Sequence, residues 1–158
     1  MDITFNAGSR RFNYRVCGLF LHDGKLLAMR DNNSPYYYLP GGRVQVGETA
    51  EAAVVREARE EMGVAARIAR PLWLNQAFFT EDVTQKDYHE LCVYFLLDYA
   101  WTDLLAFGEK FTREEDGVTH HFEWLPFEQL EGEYLYPRFI KQAIFHLPDT
   151  LELRTEYE

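Results

Sequence analysis

Apolar residues recur at every second position, or in short runs, along much of the chain, and this pattern predicts strands. Residues 12–22 and 25–30 flank Asp23-Gly24, a pair typical of hairpin turns, so they predict two antiparallel strands. Residues 65–79 predict a further strand, with an edge or a bulge at Pro71, because proline lacks the N–H that a sheet needs. The first half of the chain is therefore predicted to build a sheet.

The second half continues with alternating loops and strands. Residues 80–88 predict a polar loop, and residues 89–101 predict a near-continuous apolar strand buried on both faces. Residues 107–126 predict a charged loop followed by a short strand that ends at Trp124-Leu125-Pro126, and residues 127–130 predict a helical turn. A helix is predicted to begin at Tyr136-Pro137 and to end near His146, and residues 150–157 predict a last strand. The order of elements predicts an α/β protein with helices on both faces of a mixed sheet.

One stretch has the period of a helix instead. Its apolar stripe consists of Ala50, Val54, Ala58 and Met62. Thr49 is predicted to cap the N-terminus, and Gly63 stands where helices end in the left-handed conformation. The turn before it contains Gly41 and Gly42, which allow the backbone to approach a ligand closely.

Three glutamates crowd one face of this predicted helix. Glu57, Glu60 and Glu61 fall within an arc of about 100°. Like charges three or four residues apart destabilise a helix, and acidic groups in its last turn oppose the helix dipole. A hard divalent cation would offset this charge, because Mg²⁺ and Mn²⁺ prefer carboxylate oxygens. The residues alone leave a second interpretation open, in which the glutamates form a solvated acidic face.

The spacing around these glutamates resembles a known motif. Gly42, Glu48 five residues later, and Arg56-Glu57-Ala58-Arg59-Glu60-Glu61-Met62-Gly63-Val64 after seven more are similar to the signature box of the Nudix hydrolases. Ala58 departs from the larger aliphatic residue that the family usually has there. The resemblance implies a single Nudix-type α/β/α sandwich with a mixed β-sheet over residues 1–158.

The same resemblance implies a function. Nudix hydrolases cleave the diphosphate linkage of a nucleoside diphosphate joined to another moiety, with Mg²⁺, or Mn²⁺ in its place, as cofactor. Nucleotide sugars, dinucleoside polyphosphates and modified deoxynucleoside triphosphates are all admissible substrates. The implied metal ligands are Gly41, Glu48, Glu57, Glu60 and Glu61. Arg56 is implied to hold the carboxylates in place by charge-assisted hydrogen bonds.

Residues outside the box are candidates for further roles. The resemblance implies a general base that is either a glutamate of the box or an acid on a later loop. The later loop offers Glu109, Glu114, Glu115 and Asp116, and Glu115 is our choice. The candidates for substrate contacts are Arg30 for a phosphate, Tyr38 within the run of residues 36–38, and Phe79 for stacking on a base. Each has an ordinary alternative, namely a solvated charge for Arg30 and Glu115 and core packing for the two aromatic residues.

The amino-acid composition limits the kinds of molecule that the protein is expected to bind. The formal net charge of −10 over 158 residues argues against a nucleic-acid polymer, which basic residues would have to bind. Cys17 and Cys92 lie in apolar runs without metal-ligand spacing, which predicts reduced thiols and a cytoplasmic protein. We expect no membrane segment, and a homodimer is possible for the family.

Two other classes of function stay open at this point. A Nudix-like regulator that binds a nucleotide or metabolite without cleaving it would be expected to lose metal glutamates, all of which are present here. An isoprenoid diphosphate isomerase on the same scaffold would need a catalytic cysteine beside the site. A DNA glycosylase would need a basic surface, contrary to the acidic composition.

Overall fold

The computed structural model describes residues 1–158. The strands are β1 (Thr4–Ala7), β2 (Arg10–Leu19), β3 (Leu21–His22), β4 (Lys25–Asp31), β5 (Gly41–Arg43), β6 (Arg67–Thr80), β7 (Asp87–Asp98), β8 (Lys110–Glu115), β9 (Val118–Pro126) and β10 (Glu152–Tyr157). The α-helices are α1 (Ala50–Met62) and α2 (Ile140–Ala143), and the 3₁₀ helices are Leu104–Phe107 and Phe127–Gly132. None of these helices is long and apolar enough to cross a membrane.

The strands form two sheets. A mixed sheet has the order β1-β2-β7-β6-β10, with β5 also paired to β2, and its β2–β7 and β6–β10 pairs are parallel. A second, antiparallel sheet has the order β3-β4-β9-β8. The sequence prediction of a mixed sheet is confirmed.

Neighbouring residues on the central strands point into two different cores, which gives the molecule its layers. Val16 and Phe95 pack into the core that contains α1, whereas Cys17 and Tyr94 pack into the core that contains α2. Because successive residues of a strand point to opposite faces, the two cores lie on opposite sides of the mixed sheet. This arrangement confirms the predicted α/β/α layering.

The predicted first hairpin exists, but only over a short length. Asp23 and Gly24 both have positive φ, as a tight hairpin turn requires, yet only Leu21–His22 pairs with β4 through this turn. The rest of the predicted strand forms β2, which pairs with β7 in the other sheet. Pro71 lies at a β-bulge of β6, as predicted.

Two predictions in the last third were wrong. The residues predicted as a charged loop form β8, which pairs with β9 around a turn at Asp116 and Gly117, both with positive φ. The helix predicted from residue 136 to 146 shrinks to Ile140–Ala143. The backbone of Tyr136 donates a hydrogen bond to the Tyr37 carbonyl at 3.0 Å, so the chain is still extended where the helix was expected to begin.

Candidate active site

Helix α1 is held at both ends by local interactions. The Thr49 side chain accepts a hydrogen bond from the Ala52 N–H at 3.1 Å, and Gly63 ends the helix with φ of 71°. The stripe that contains Val54, Ala58 and Met62 is buried against the sheet. The acidic face of the helix is therefore fixed relative to the strands beside it.

Arg56 is the centre of a hydrogen-bonded cluster on that face. Its Nε and Nη2 donate to the two carboxylate oxygens of Glu48 at 2.7 and 2.9 Å, and its Nη1 donates to Glu57 Oε1 at 2.9 Å and Glu60 Oε2 at 3.1 Å. Nη2 also donates to the Arg43 carbonyl at 3.0 Å. The hydrogen bonds from Arg56 lower the pKa of Glu48. Both oxygens of Glu48 are thus committed to Arg56, which makes Glu48 a support for the cluster.

Gly41 and Gly42 lie against the glutamates. The Gly41 N–H donates to Glu61 Oε1 at 2.9 Å. A Cβ atom on Gly42 would lie 2.2 Å from Glu57 Oε1, and one on Gly41 would lie 2.1 Å from the Val16 carbonyl oxygen. Because both positions exclude a side chain, the two glycines are required for this close approach.

The carboxyl groups of Glu57, Glu61 and Glu115 lie close enough for their charges to influence one another. Burial, followed by the charge of Glu57, raises the pKa of Glu61 well above its usual value, and the charge of Glu115 adds to this. Burial also raises the pKa of Glu57; the hydrogen bond from Arg56 opposes this, and the charges of Glu60 and Glu115 add to it. Oε2 of Glu115 is buried without a hydrogen-bond partner. Glu115, at the end of β8, therefore lies in the same electrostatic environment as the glutamates of α1.

No three acidic, histidine or cysteine side chains lie close enough together to form a ready-made metal site. Arg56 binds one oxygen of Glu57 and one of Glu60. The donor chemistry nevertheless fits a hard divalent cation, since the groups at hand are carboxylate oxygens, one of them an unpaired oxygen of Glu115. Glu57, Glu60 and Glu61 are the residues that could hold it, with Glu115 Oε2 unpartnered near them.

A cavity of about 680 Å³ opens beside these residues and includes Gly42 in its lining. Tyr38 and Phe79, both predicted to contact substrate, line it. The Tyr38 hydroxyl donates to Asp31 Oδ2 at 3.0 Å, and the Tyr36 hydroxyl donates to Glu81 Oε1 at 2.8 Å. The aromatic walls of the cavity are therefore fixed by carboxylates that also line it.

Arg30, the other predicted substrate residue, lies elsewhere. It lines a separate groove of about 370 Å³, with its guanidinium carbon 5.2 Å from the centre of the Tyr37 ring. Its neighbour Asp31 does line the larger cavity. The reason is the alternation of side chains along β4, which sends residues 30 and 31 to opposite faces.

Arg15 is an arginine that the sequence prediction did not select. It lines the large cavity, next to Arg43 across the β2–β5 pair, and its guanidinium makes no ion pair or hydrogen bond within the protein. Burial lowers the pKa of Arg15, but the charges of Glu90 and other neighbours together raise it by more. The net effect is a raised pKa, so the side chain stays charged. A signal was present in the sequence, because polar residues alternate as Asn13, Arg15 and Cys17 in a strand that otherwise reads as apolar.

Comparison with known proteins agrees with this arrangement. The family model of the NUDIX domain matches residues 10–144. An ADP-ribose pyrophosphatase of Methanocaldococcus jannaschii is 34% identical over 94 residues, which cover 58% of this chain and 53% of the relative. The chain thus spans about half the length of that relative.

Solved structures share the fold. A mutator MutT protein from Bacillus halodurans aligns with a TM-score of 0.61 at 15% identity, over 92% of this chain and 89% of its own. An ADP-ribose pyrophosphatase from Streptococcus suis aligns with a TM-score of 0.57 at 15% identity, over 90% of this chain and 98% of its own. At such identities the likeness shows a common architecture.

Proposed function

The chain belongs to the Nudix family, and from this premise we propose that it hydrolyses the diphosphate linkage of a nucleoside diphosphate joined to another moiety. The observation that carries the proposal is the group of Glu57, Glu61 and Glu115 next to Gly42, which lines a cavity that contains Arg15. Burial raises the pKa of Glu61, and the charges of Glu57 and Glu115 add to this. Negative charge of this kind favours a divalent cation, and a cation together with an arginine favours a diphosphate.

Each residue has a part in the proposed reaction. Glu57, Glu60 and Glu61 would hold a divalent cation, which when bound neutralises the non-bridging phosphate oxygens and makes water more acidic. Arg56 fixes Glu57 and Glu60, and Glu48 fixes Arg56. Arg15 and Arg43 bind phosphate oxygens. Water attacks one phosphorus, Glu115 Oε2 accepts its proton, and the bond from phosphorus to the bridging oxygen breaks, releasing two phosphate products.

The remaining features follow from the same proposal. Mg²⁺ is the expected cation, with Mn²⁺ able to replace it. Residues 1–158 form one Nudix domain, and a small phosphate ester rather than a nucleic-acid polymer is the substrate. A cytoplasmic location agrees with Cys17 and Cys92, which are unpaired although their sulfur atoms lie 3.6 Å apart. The homodimer stays a prediction from the family resemblance.

An activity screen tests the proposal. The protein is incubated with ADP-ribose, a nucleotide sugar, a dinucleoside polyphosphate and an oxidised deoxynucleoside triphosphate, with Mg²⁺ or with a chelator, and the products are identified. We expect Mg²⁺-dependent cleavage between two phosphorus atoms of at least one compound. Binding of these compounds without cleavage, under every metal condition, would instead favour the regulator.

A pair of variants connects that activity to the helix. Glu60→Gln keeps the shape of a side chain that is half exposed, so the fold is expected to remain while turnover drops by about 100-fold or more. Glu51→Gln makes the same change in the exposed first turn of α1 and should leave turnover unchanged. Near-normal turnover of Glu60→Gln with the same metal dependence would reject the assignment.

A further inference from the structure

The cavity floor is a polar strip across the mixed sheet. Residues in register on neighbouring strands share a face, and one such row is Asn13, Glu90, Ala77 and Glu156 from β2, β7, β6 and β10. All four residues line the cavity. The next row contains Arg15 and Asn75, which line it too, on either side of Cys92. Polar side chains on a face that is otherwise core require a reason.

Asn75 has an unused acceptor. The side chain is 1% exposed, and its Nδ2 donates to Glu156 Oε1 at 3.2 Å. Since a carboxylate can only accept here, the amide nitrogen must face Glu156, and this fixes the orientation of the carbonyl. Oδ1 is buried and has no hydrogen-bond partner. Buried acceptors are nearly always paired, so this atom is suited to a donor brought by a ligand.

Glu90 offers a second acceptor next to it. Glu90 is 8% exposed, and it forms no ion pair with Arg15 or any other base. The Thr4 hydroxyl donates to Asn13 Oδ1 at 2.6 Å, so the amide nitrogen of Asn13 is left to face Glu90. The floor therefore presents a fixed pair of acceptors, Asn75 Oδ1 and the Glu90 carboxyl, from adjacent strands.

The walls indicate a flat ligand. Phe79 and Tyr88 stack at 5.2 Å with an interplanar angle of 13°, and the rings of Tyr36 and Tyr136 lie 5.2 Å apart. The Tyr36 and Tyr136 hydroxyls already donate to Glu81 and Asp82, so they do not compete for the floor. An aromatic-lined cavity with a few fixed polar groups is typical of a site for a planar heterocycle.

The distribution of acidic and basic side chains in the cavity indicates how a ligand is oriented there. Glu90, Glu156 and Glu158 lie on the part of the cavity formed by β6, β7 and β10, while Arg15 and Arg43 lie on the part formed by β2 and β5. Phosphates are therefore expected near the arginines, beside Gly42 and the glutamates of α1. The group at the acidic end should carry hydrogen-bond donors and no negative charge.

We propose that Asn75 and Glu90 bind the edge of a guanine base, whose ring N1–H and adjacent amino group supply two donors side by side. This inference rests on the proposed function for the place of the phosphates. Hypoxanthine keeps N1–H but lacks the amino group, and uracil has one ring N–H between two carbonyls. Either base would leave one of the two acceptors unpaired, and uracil would also oppose a carbonyl to it.

Equilibrium binding without metal tests the inference apart from hydrolysis. GMP, IMP, AMP and UMP are titrated into the full-length protein by calorimetry in the presence of a chelator. We expect GMP to bind about tenfold or more tightly than IMP or UMP, because a site built for hydrogen bonds rejects ligands that leave its groups unpaired. Asn75→Leu should reduce GMP affinity to about that of IMP and leave UMP affinity unchanged.

Control variants distinguish recognition from damage to the fold. Gln76→Leu makes a similar change on the opposite face of β6, where Gln76 donates to Thr155 Oγ1 at 3.1 Å, and should preserve the preference for GMP. Glu90→Gln keeps the shape of the second acceptor group and should also lower the preference. Equal affinity for GMP, IMP and UMP in the parent protein, or a preference that survives both Asn75→Leu and Glu90→Gln, would overturn the inference.

Hydrolysis of GDP-glucose and UDP-glucose separates the two proposals, since these compounds share the sugar and the diphosphate. Cleavage of both at equal kcat/KM would overturn the guanine inference and leave the proposed function intact. Preferential binding of GMP without cleavage of either compound would support the guanine inference and contradict the proposed function. We expect GDP-glucose to be cleaved at a kcat/KM about tenfold or more above that of UDP-glucose.

Discussion

Replacing Glu61 by glutamine is expected to make the metal-free protein more stable and to remove its activity. Glu61 is 5% exposed, and its hydrogen bond is from the Gly41 N–H at 2.9 Å. Burial raises its pKa, and the charges of Glu57 and Glu115 add to this. An ionised Glu61 is therefore unfavourable for folding at neutral pH, whereas a neutral amide of the same shape is not.

The size of the effect follows from linkage. Every unit by which folding raises a pKa costs about 1.4 kcal/mol of stability once the group is forced to ionise. Glutamine still accepts the Gly41 N–H but loses the charge assistance, which offsets about 1 kcal/mol of the gain. At about pH 8 we expect a net gain of about 1–3 kcal/mol and a Tm increase of about 2–4 °C for each kcal/mol.

Chemical and thermal denaturation with and without Mg²⁺ measure this effect. The parent protein should gain about 2.7 kcal/mol when Mg²⁺ exceeds its Kd a hundredfold, and Glu61→Gln should gain much less. Turnover of the variant should fall by about 100-fold or more. Glu51→Gln is the matched control and should keep both the metal-free stability and the Mg²⁺ response of the parent protein. If Glu61→Gln unfolds more easily at about pH 8, or is stabilised by Mg²⁺ as much as the parent, our interpretation of this carboxylate is wrong.

Three further outcomes are expected. Gly42→Ala should lower kcat by about tenfold or more at nearly full stability, because its Cβ would displace the Glu57 carboxylate; a Tm loss without loss of turnover would contradict this. Arg15→Met should raise KM for any diphosphate substrate by about tenfold, and unchanged KM would remove Arg15 from the phosphate site. The metal-free protein should lose stability in urea titrations as pH rises above the usual carboxyl range, because burial raises the pKa of Glu57, Glu61 and Glu90, and stability from a raised pKa is lost as pH rises through it.

The helix and the family motif on it could be predicted because their determinants are local. Thr49 and Gly63 set the ends of α1 within a few residues of the helix, and the box motif lies in one continuous stretch. The β8–β9 hairpin was missed for the opposite reason. Its strand β8 is charged at most positions, and alternation between exposed and partly buried residues, rather than apolar content, marks it as a strand.

The cavity floor could not be predicted in the same way. Arg15, Asn75 and Glu90 lie on three strands far apart in the sequence and meet only through the register of the mixed sheet. Arg30 was chosen because it is near the box along the chain. Its position in the alternation of side chains along β4 decides which face of the sheet it occupies. Glu115 was chosen among four acids, and the structure places it near the α1 glutamates because β8 is a strand rather than a loop.

Strand β10 contributes to the cavity although it lies outside the matched family domain. It lies beyond the residues that the family model matches, yet it contributes Glu156, which lines the cavity and orients Asn75. The helix that would hold the cation and the strand that would tune the ligand therefore belong to separate parts of the chain. Substitutions in this tail can redirect the molecule towards a new metabolite while its hydrolytic apparatus is left untouched.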